Sequence, residues 1–149
     1  MNDNYFVYKT YCELIIVSDE FSPSSITKEL EVAPTRFFLK GDQTMSKTSG
    51  SLITKPHNLW AFKLSTTYLR EETIGHHISH LKSTFLKKID LLRKYKENPN
   101  YEVSLWIWIE TDNAGIGLDM NSEDLAFINC ISNEVHMSFI SNKVMKVKL

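Results

Sequence analysis

Residues 101–110 carry the most informative pattern in the chain. Val103, Leu105, Ile107 and Ile109 alternate with Ser104, Trp106, Trp108 and Glu110. Successive side chains of a strand point to opposite faces. The stretch therefore predicts a β-strand with one aliphatic face and one face bearing two tryptophans. A strand apolar on both faces belongs inside a sheet, covered on both sides. Residues 5–17 have the same character. Phe6, Tyr8, Cys12, Leu14 and Ile16 share one parity, and Tyr5, Val7, Tyr11, Ile15 and Val17 the other. Further strands are predicted over 35–40, 58–66, 116–120 and 134–140. In the second of these, Trp60, Phe62 and Leu64 alternate with Leu59, Ala61 and Lys63. The strand over 116–120 is expected to form a hairpin with 101–110, across the turn residues Thr111-Asp112-Asn113-Ala114-Gly115.

Three helices interrupt the strands. Ser22-Pro23 has the chemistry of a helix start, a hydroxyl cap followed by a proline that loses no needed N–H. It predicts a helix over 23–31, stopped by Pro34. Over 71–96, Ile74, Ile78, Leu81, Phe85, Ile89 and Leu92 recur at three- and four-residue steps. That is one helical apolar stripe, ~39 Å long if unbroken. Asn121 or Ser122 caps a third helix over 122–132, with Glu123 and Asp124 in its first turn. Residues 43–56 are polar and read as a mobile surface loop. Residues 141–149 read as a frayed tail or a short edge strand.

The order is β-α-β-β-α-β-β-α-β. It predicts an α+β fold, a mostly antiparallel sheet of about six strands with helices packed on one face. At 149 residues the chain is expected to form one domain, 1–149. A net charge of −1 argues against a nucleic-acid partner. No apolar run approaches the ~20 residues of a membrane span, and residues 1–5 lack a basic stretch ahead of an apolar core, so no signal peptide is expected. A cytoplasmic protein is expected. Cys12 and Cys130 are the only cysteines and lie in apolar runs. Two reduced, buried thiols are the simplest reading, and a single disulfide between them the alternative.

Candidate chemistry is sparse. His76 and His80 stand four apart on one helix face, a spacing at which imidazoles can hold zinc. A third ligand is missing nearby in sequence, so a polar helix face is the preferred reading and no metal or cofactor is expected. Neither a GxSxG nucleophile nor a glycine-rich phosphate loop occurs, and the chain holds only 5 glycines. Glu110, Asp112, Asp119, Glu123 and Asp124 form its most acidic stretch, with no Lys or Arg among them. Carboxylates at a helix start suit the dipole, and a partner-binding acidic patch is the functional alternative. The sharper candidates are aromatic. Trp106 and Trp108, with Trp60 beside them, are expected on the sheet face away from the long helix. A second copy or a partner would cover them there, unless the loop over 43–56 or a curled sheet does.

The order of features carries a resemblance. Phe21-Ser22-Pro23-Ser24-Ser25-Ile26-Thr27 leads to Leu30-Glu31-Val32-Ala33-Pro34-Thr35 and Lys40-Gly41-Asp42. A variable loop, Leu59-Trp60, a long helix and a closing helix–strand pair follow. Over most of its length, roughly residues 7–140, the chain resembles the bacterial family called domain of unknown function 4279. It departs from that pattern in lacking a glycine-rich lead into Phe21. The resemblance implies a small stand-alone bacterial protein with no assigned enzymatic activity. Compact families of this habit are similar to immunity proteins, which bind and neutralise a cognate toxin. The expectation is thus a non-enzymatic binding protein, possible partners being a toxin or a second copy in a homodimer. A small enzyme with an unrecognised site is the alternative.

Overall fold

The computed structural model describes residues 7–69, 74–111 and 117–141. Twelve-residue strand β1 (Val7–Ser18) leads into helix α1 (Pro23–Leu30). Short strands β2 (Arg36–Phe38), β3 (Gln43–Met45) and β4 (Leu52–Thr54) precede the second long strand, β5 (Asn58–Leu69). Helix α2 (Ile74–Phe85), a 3₁₀ turn (Leu86–Lys88) and helix α3 (Ile89–Glu97) follow. Strand β6 (Tyr101–Thr111), helix α4 (Ser122–Ile131) and strand β7 (Glu134–Ser141) close the order.

Five strands make the main sheet in the order β2-β5-β1-β6-β7. All pairings are antiparallel except β6 with β7, so the α+β class holds and the sheet is mixed. Residues 101–110 do lie inside the sheet, as β6, between β1 and β7. Parallel neighbours need a long crossover, usually a helix, and α4 is that crossover. Asn133 seats the incoming strand. Its N–H donates to the Val103 carbonyl at 2.7 Å and its Oδ1 accepts from the Val103 N–H at 3.1 Å. The hairpin expected after Thr111 is not formed as read. Residues 117–120 are not a strand, and 112–116 lie outside the described residues. The place beside β6 is taken by β7.

One face of the central strands is buried under the helices, while Val135, Met137 and Phe139 of β7, in the rows of Leu105, Ile107 and Ile109, stay exposed. Cys12, Leu14 and Ile16 of β1, Trp60 of β5 and Val103, Leu105, Ile107 and Ile109 of β6 are essentially inaccessible. They pack on Ile26 and Leu30 of α1, Ile74, Ile78, Leu81 and Phe85 of α2, Leu92 and Tyr95 of α3, and Phe127, Ile128 and Ile131 of α4. Burying a side chain of this size stabilises by about 1.5–3 kcal/mol. The helix stripe and the inward strand parity are thus two halves of one core.

The long helix is broken. Its stripe continues, but Phe85 before the 3₁₀ turn (φ −105°, ψ 10°) and Lys88 at its end (φ −119°, ψ 10°) leave α geometry. Neither Gly nor Pro marks the break. Tertiary contacts hold it, with Lys88 Nζ donating to the Glu29 carbonyl at 3.0 Å and pairing with Glu31 at 3.1 Å. Residues 71–73 lie outside the described residues. The loop over 43–56 is in fact a hairpin, β3 on β4, rooted by Gly41 N–H to the Lys55 carbonyl and Lys55 N–H to the Asp42 carbonyl. Cys12 and Cys130 are both free thiols, the first buried and the second half-buried. Cys130 accepts hydrogen bonds from the Arg93 guanidinium. Residues 142–149 lie outside the described residues.

Helix α1 starts as its sequence predicts. Ser22 Oγ accepts from the Ser25 N–H at 3.3 Å, and Pro23 opens the first turn. In α4 the cap is Asn121, whose Oδ1 accepts from the Asp124 N–H at 2.8 Å. The end of α1 differs from expectation. Glu31 adopts a left-handed conformation (φ 57°) and returns its N–H to the Thr27 carbonyl, three residues before Pro34. A side chain is strained in that region and glycine is not. Glu31→Gly relieves about 1–2 kcal/mol of that strain and gives up the exposed pair with Lys88, worth at most about 1 kcal/mol, so it is expected to raise stability by a net of about 0.5–1 kcal/mol, read as an increased urea midpoint at constant slope.

Candidate functional site

The second face of the sheet is a candidate binding surface because no described helix covers it. Its residues follow from strand parity. Registers place Tyr11 opposite Trp108, Glu13 opposite Trp106 and Lys9 opposite Glu110. Glu13 also faces Lys63 of β5, Trp106 faces His136 of β7, and Trp108 faces Ser138. All project away from the helical layer, because their neighbours in sequence point into it.

This face is carpeted by its own side chains. Trp108 stacks on Tyr11 with ring centroids 5.6 Å apart and planes 6° apart. Trp106 stacks on His136 at 4.2 Å and 19°. The indole N–H groups are satisfied within β6, Trp106 donating to Ser104 Oγ at 3.1 Å and Trp108 to Glu110 Oε1 at 2.9 Å. Both tryptophans are half-buried. The Lys63 ammonium lies 3.9 Å from the centroid of Tyr11, a cation–π contact. Burial and the neighbouring Glu13 raise the Tyr11 phenol above its ordinary pKa.

Arg36 reaches across β5 to Glu13, with 2.6 Å between Nε and Oε1. It can do so because its partner in β5 is Ala61, whose methyl leaves room above the sheet and is itself fully buried. Glu13 is only 5 % exposed. An unpaired carboxylate so placed would be costly, so the Arg36 guanidinium is what permits it. The guanidinium side of the pair stays half exposed.

Charge is sorted across the face. Arg36 and Lys63 stand on β2 and β5, whereas Glu102 and Glu110 stand on β6 and Glu134 on β7. Central strand β1 contributes Lys9 and Glu13. One flank is basic, the other acidic, and the aromatic rings lie between.

The structure divides the residues singled out from sequence. Trp106, Trp108 and Glu110 share the open face. Trp60 does not. It lies in the row of Ile16 and Val103, fully buried, with its indole N–H donating to Thr27 Oγ1 at 3.0 Å and its ring edge-on to Phe85 at 6.3 Å. The acidic stretch does not gather into one patch. Asp119 and Glu123 are exposed around the start of α4, while Asp124 is buried and pairs with Lys82 at 3.4 Å. Asp112 lies outside the described residues. The hairpin over 43–54 does not cover the tryptophans. It grows from the β2 edge, three strands away from β6. Tyr11, Glu13, Arg36, Lys63 and His136 were not selected from sequence. Their signal is the alternation of β1, β2, β5 and β7, which assigns a face only once the register is known.

The histidines at the start of α2 form a second feature. A depression of about 490 Å³ is lined by Leu64, Ser65, Thr66, His76, His77 and His80. Among the described residues, no group of three or more His, Cys, Asp or Glu side chains is placed to hold a metal. His76 and His80 are exposed, but His77 turns inward. Its Nε2 lies 3.3 Å from both Thr10 Oγ1 and Thr66 Oγ1.

A helix-backed mixed sheet whose outer face carries stacked aromatics defines the class of protein. The chain belongs to the family described as "Domain of unknown function (DUF4279)", whose match covers residues 8–141. No curated protein and no solved structure matches it. Among the described residues, no helix is long and apolar enough to cross a membrane.

Burial, then the charges of His76 and His80, push the His77 imidazole below its ordinary pKa. Its folded value is thus lower than its unfolded one. The unfolded chain binds the extra proton first, and stability is lost as pH falls below ~6.5. His77→Gln is expected to flatten the acid limb of the stability–pH curve, whose slope for one proton approaches ~1.4 kcal/mol per pH unit. Urea midpoints between pH 7 and 5 check this. An unchanged slope in the variant would assign the acid sensitivity elsewhere.

Proposed function

We propose that this chain is a non-enzymatic binding protein that engages a protein partner through the open face of its sheet. The observation carrying the reading is the pair of stacks, Tyr11–Trp108 and Trp106–His136, on a face with no described helical cover. Binding energy at protein interfaces concentrates in Trp, Tyr and Arg near the centre of the patch. This face offers all three, with Arg36 locked by Glu13 and Tyr11 flanked by Lys63. Rings already stacked and indoles already hydrogen-bonded lose little freedom on binding, which favours association. A flat aromatic surface suits a protein better than a small substrate, which needs a concave site.

The partner divides the reading in two. A toxin on this face would give the immunity-type role that the compact, stand-alone habit suggests. A second copy would make a homodimeric module.

A photo-crosslinking side chain at Ser138, on the open face, tests the reading in cells expressing the protein at its native level. A control at Ser83, on the exposed side of α2, reports background. The expected outcome is a discrete crosslinked protein from Ser138 and none from Ser83. Equal capture from both positions, or none from Ser138, overturns the reading.

A further inference from the structure

We propose that the outer edge of β7 pairs with β7 of a second copy, antiparallel about a two-fold axis perpendicular to the sheet. This edge is distinct from the open face, and pairing along it does not depend on the binding reading above. The direction of the backbone groups points to it. The N–H and C=O of one strand residue point to the same side, and successive residues alternate. Val103 turns both toward β7, where Asn133 engages them. Leu105, Ile107 and Ile109 therefore do the same. In a parallel ladder a residue bonds the two that flank its partner. The partners of Leu105, Ile107 and Ile109 are Val135, Met137 and Phe139. Glu134, His136, Ser138 and Ile140 thus face β6, and Val135, Met137 and Phe139 aim their N–H and C=O outward. The alternation followed from the Ala61 carbonyl on β5, which accepts from the Thr35 N–H, through β1 to β6 gives the same result.

Among the described residues, β7 pairs with β6 alone. Val135, Met137 and Phe139 are also 40 %, 47 % and 49 % exposed, so the unpaired edge is apolar. Sheet edges are usually blunted by shortness, charge, proline or a bulge. The opposite edge conforms, since β2 has 3 residues and carries Arg36. Strand β7 has 8 residues, no Lys, Arg or Pro, and an unbroken register.

The segment Glu134–Ile140 is complementary to itself. The register that maps it onto itself centres on Met137. The outward phase allows this register, because hydrogen-bonded antiparallel partners must both point across the gap. Met137 lies opposite Met137 of the second copy and Val135 opposite Phe139, all on one side of the sheet. On the other side His136 lies opposite Ser138, and Glu134 opposite Ile140. Each Glu134 is ~20 Å from its own copy, and each His136 keeps its own Glu134 at 3.1 Å. No like charges lie opposite, and no contact within the chain is given up, the stack of His136 on Trp106 included. A second copy closes both edges at once. A foreign strand would leave its own far edge open and would lose freedom that a strand already built on β6 has lost. The product is one ten-stranded sheet with both open faces on the same side.

Seven paired residues span ~24 Å, a narrow contact beside the ~800 Å² per partner of a standard interface. Association is therefore followed by sedimentation velocity of the full chain from about 1 to about 300 µM. Met137→Lys and Met137→Glu each set like charge on like at the axis. The expected result is a wild-type dimer, at least tenfold weaker association of either variant alone, and recovered association when the two are mixed in equal amounts. Met137→Pro removes an outward N–H, leaves the ladder to β6 whole and is expected to abolish the dimer with an unchanged circular dichroism spectrum. If that spectrum changes, the Lys–Glu mixture decides. Amide exchange identifies the surface. Protection of Val135, Met137 and Phe139 should rise with concentration, whereas His136, Ser138 and Ile140 stay protected throughout. A chain monomeric to about 300 µM, a mixture no stronger than its components, or outward amides indifferent to concentration overturns the proposal. A monomer whose photo-crosslinker at Met137 captures a different protein overturns the second copy in favour of a foreign strand. A dimer that survives Met137→Pro and still crosslinks through Ser138 belongs to the open face and overturns the edge.

Discussion

A sheet has two faces, and the described helices of this chain cover one of them. That constraint governs the rest of the structure. The helix-side residues of β1 and β6 and Trp60 of β5 are closed to solvent by α1 to α4, with Cys12, Leu14, Ile16, Trp60, Val103, Leu105, Ile107 and Ile109 at the centre. The opposite parity has to be made compatible with water or with a partner by other means. The chain does it with long polar side chains laid flat on the strands. Arg36 runs over Ala61 to Glu13, and Lys63 lies over Tyr11. Such side chains cover apolar surface with their stems and keep their charge at the rim. The aromatic pairs between them remain half-buried.

The paired carboxylate and guanidinium illustrate how the two faces depend on each other. Glu13 neighbours Cys12 and Leu14, which anchor the core from the same strand. Shifting β1 by one residue would drive Glu13 under the helices and expose Leu14. The ion pair on one face and the aliphatic core on the other therefore specify the same register. The completely buried Cys12 thiol, pushed up to about 12 by desolvation, is part of that packing and behaves as a small apolar side chain.

Much of this was legible in sequence where the signal is local. Ser22-Pro23 fixes the start of α1, the two-sided alternation of 101–110 marks an interior strand, and the stripe from Ile74 to Leu92 marks a helical layer. What stayed hidden depends on contacts between distant segments. The 3₁₀ turn at Leu86–Lys88 contains neither Gly nor Pro and is held by Glu29 of α1 and by Glu31, which caps that helix. The place of β7 beside β6 is set by Asn133 meeting Val103, thirty residues apart in sequence. Sequence cannot separate Trp60 from Trp106 and Trp108, because parity within one strand does not say which face it shares with another. Its own strand held the clue. Trp60, Phe62 and Leu64 are the apolar set of β5, while Ala61, Lys63 and Ser65 are the set that faces outward.

The central claim is that Trp60 and Trp108, residues of one type in neighbouring parts of one sheet, do different work because they lie on opposite faces. Equilibrium urea unfolding of Trp60→Ala and Trp108→Ala, at 1 µM protein where association does not contribute, tests it most directly. Removing the fully buried Trp60, with its edge contact to Phe85 and its bond to Thr27, should cost about 3–5 kcal/mol. Removing the half-buried Trp108 should cost no more than about 1–2 kcal/mol, chiefly its stack on Tyr11 and its share of covered area. Equal losses of the larger size would place both tryptophans in the core and contradict the account.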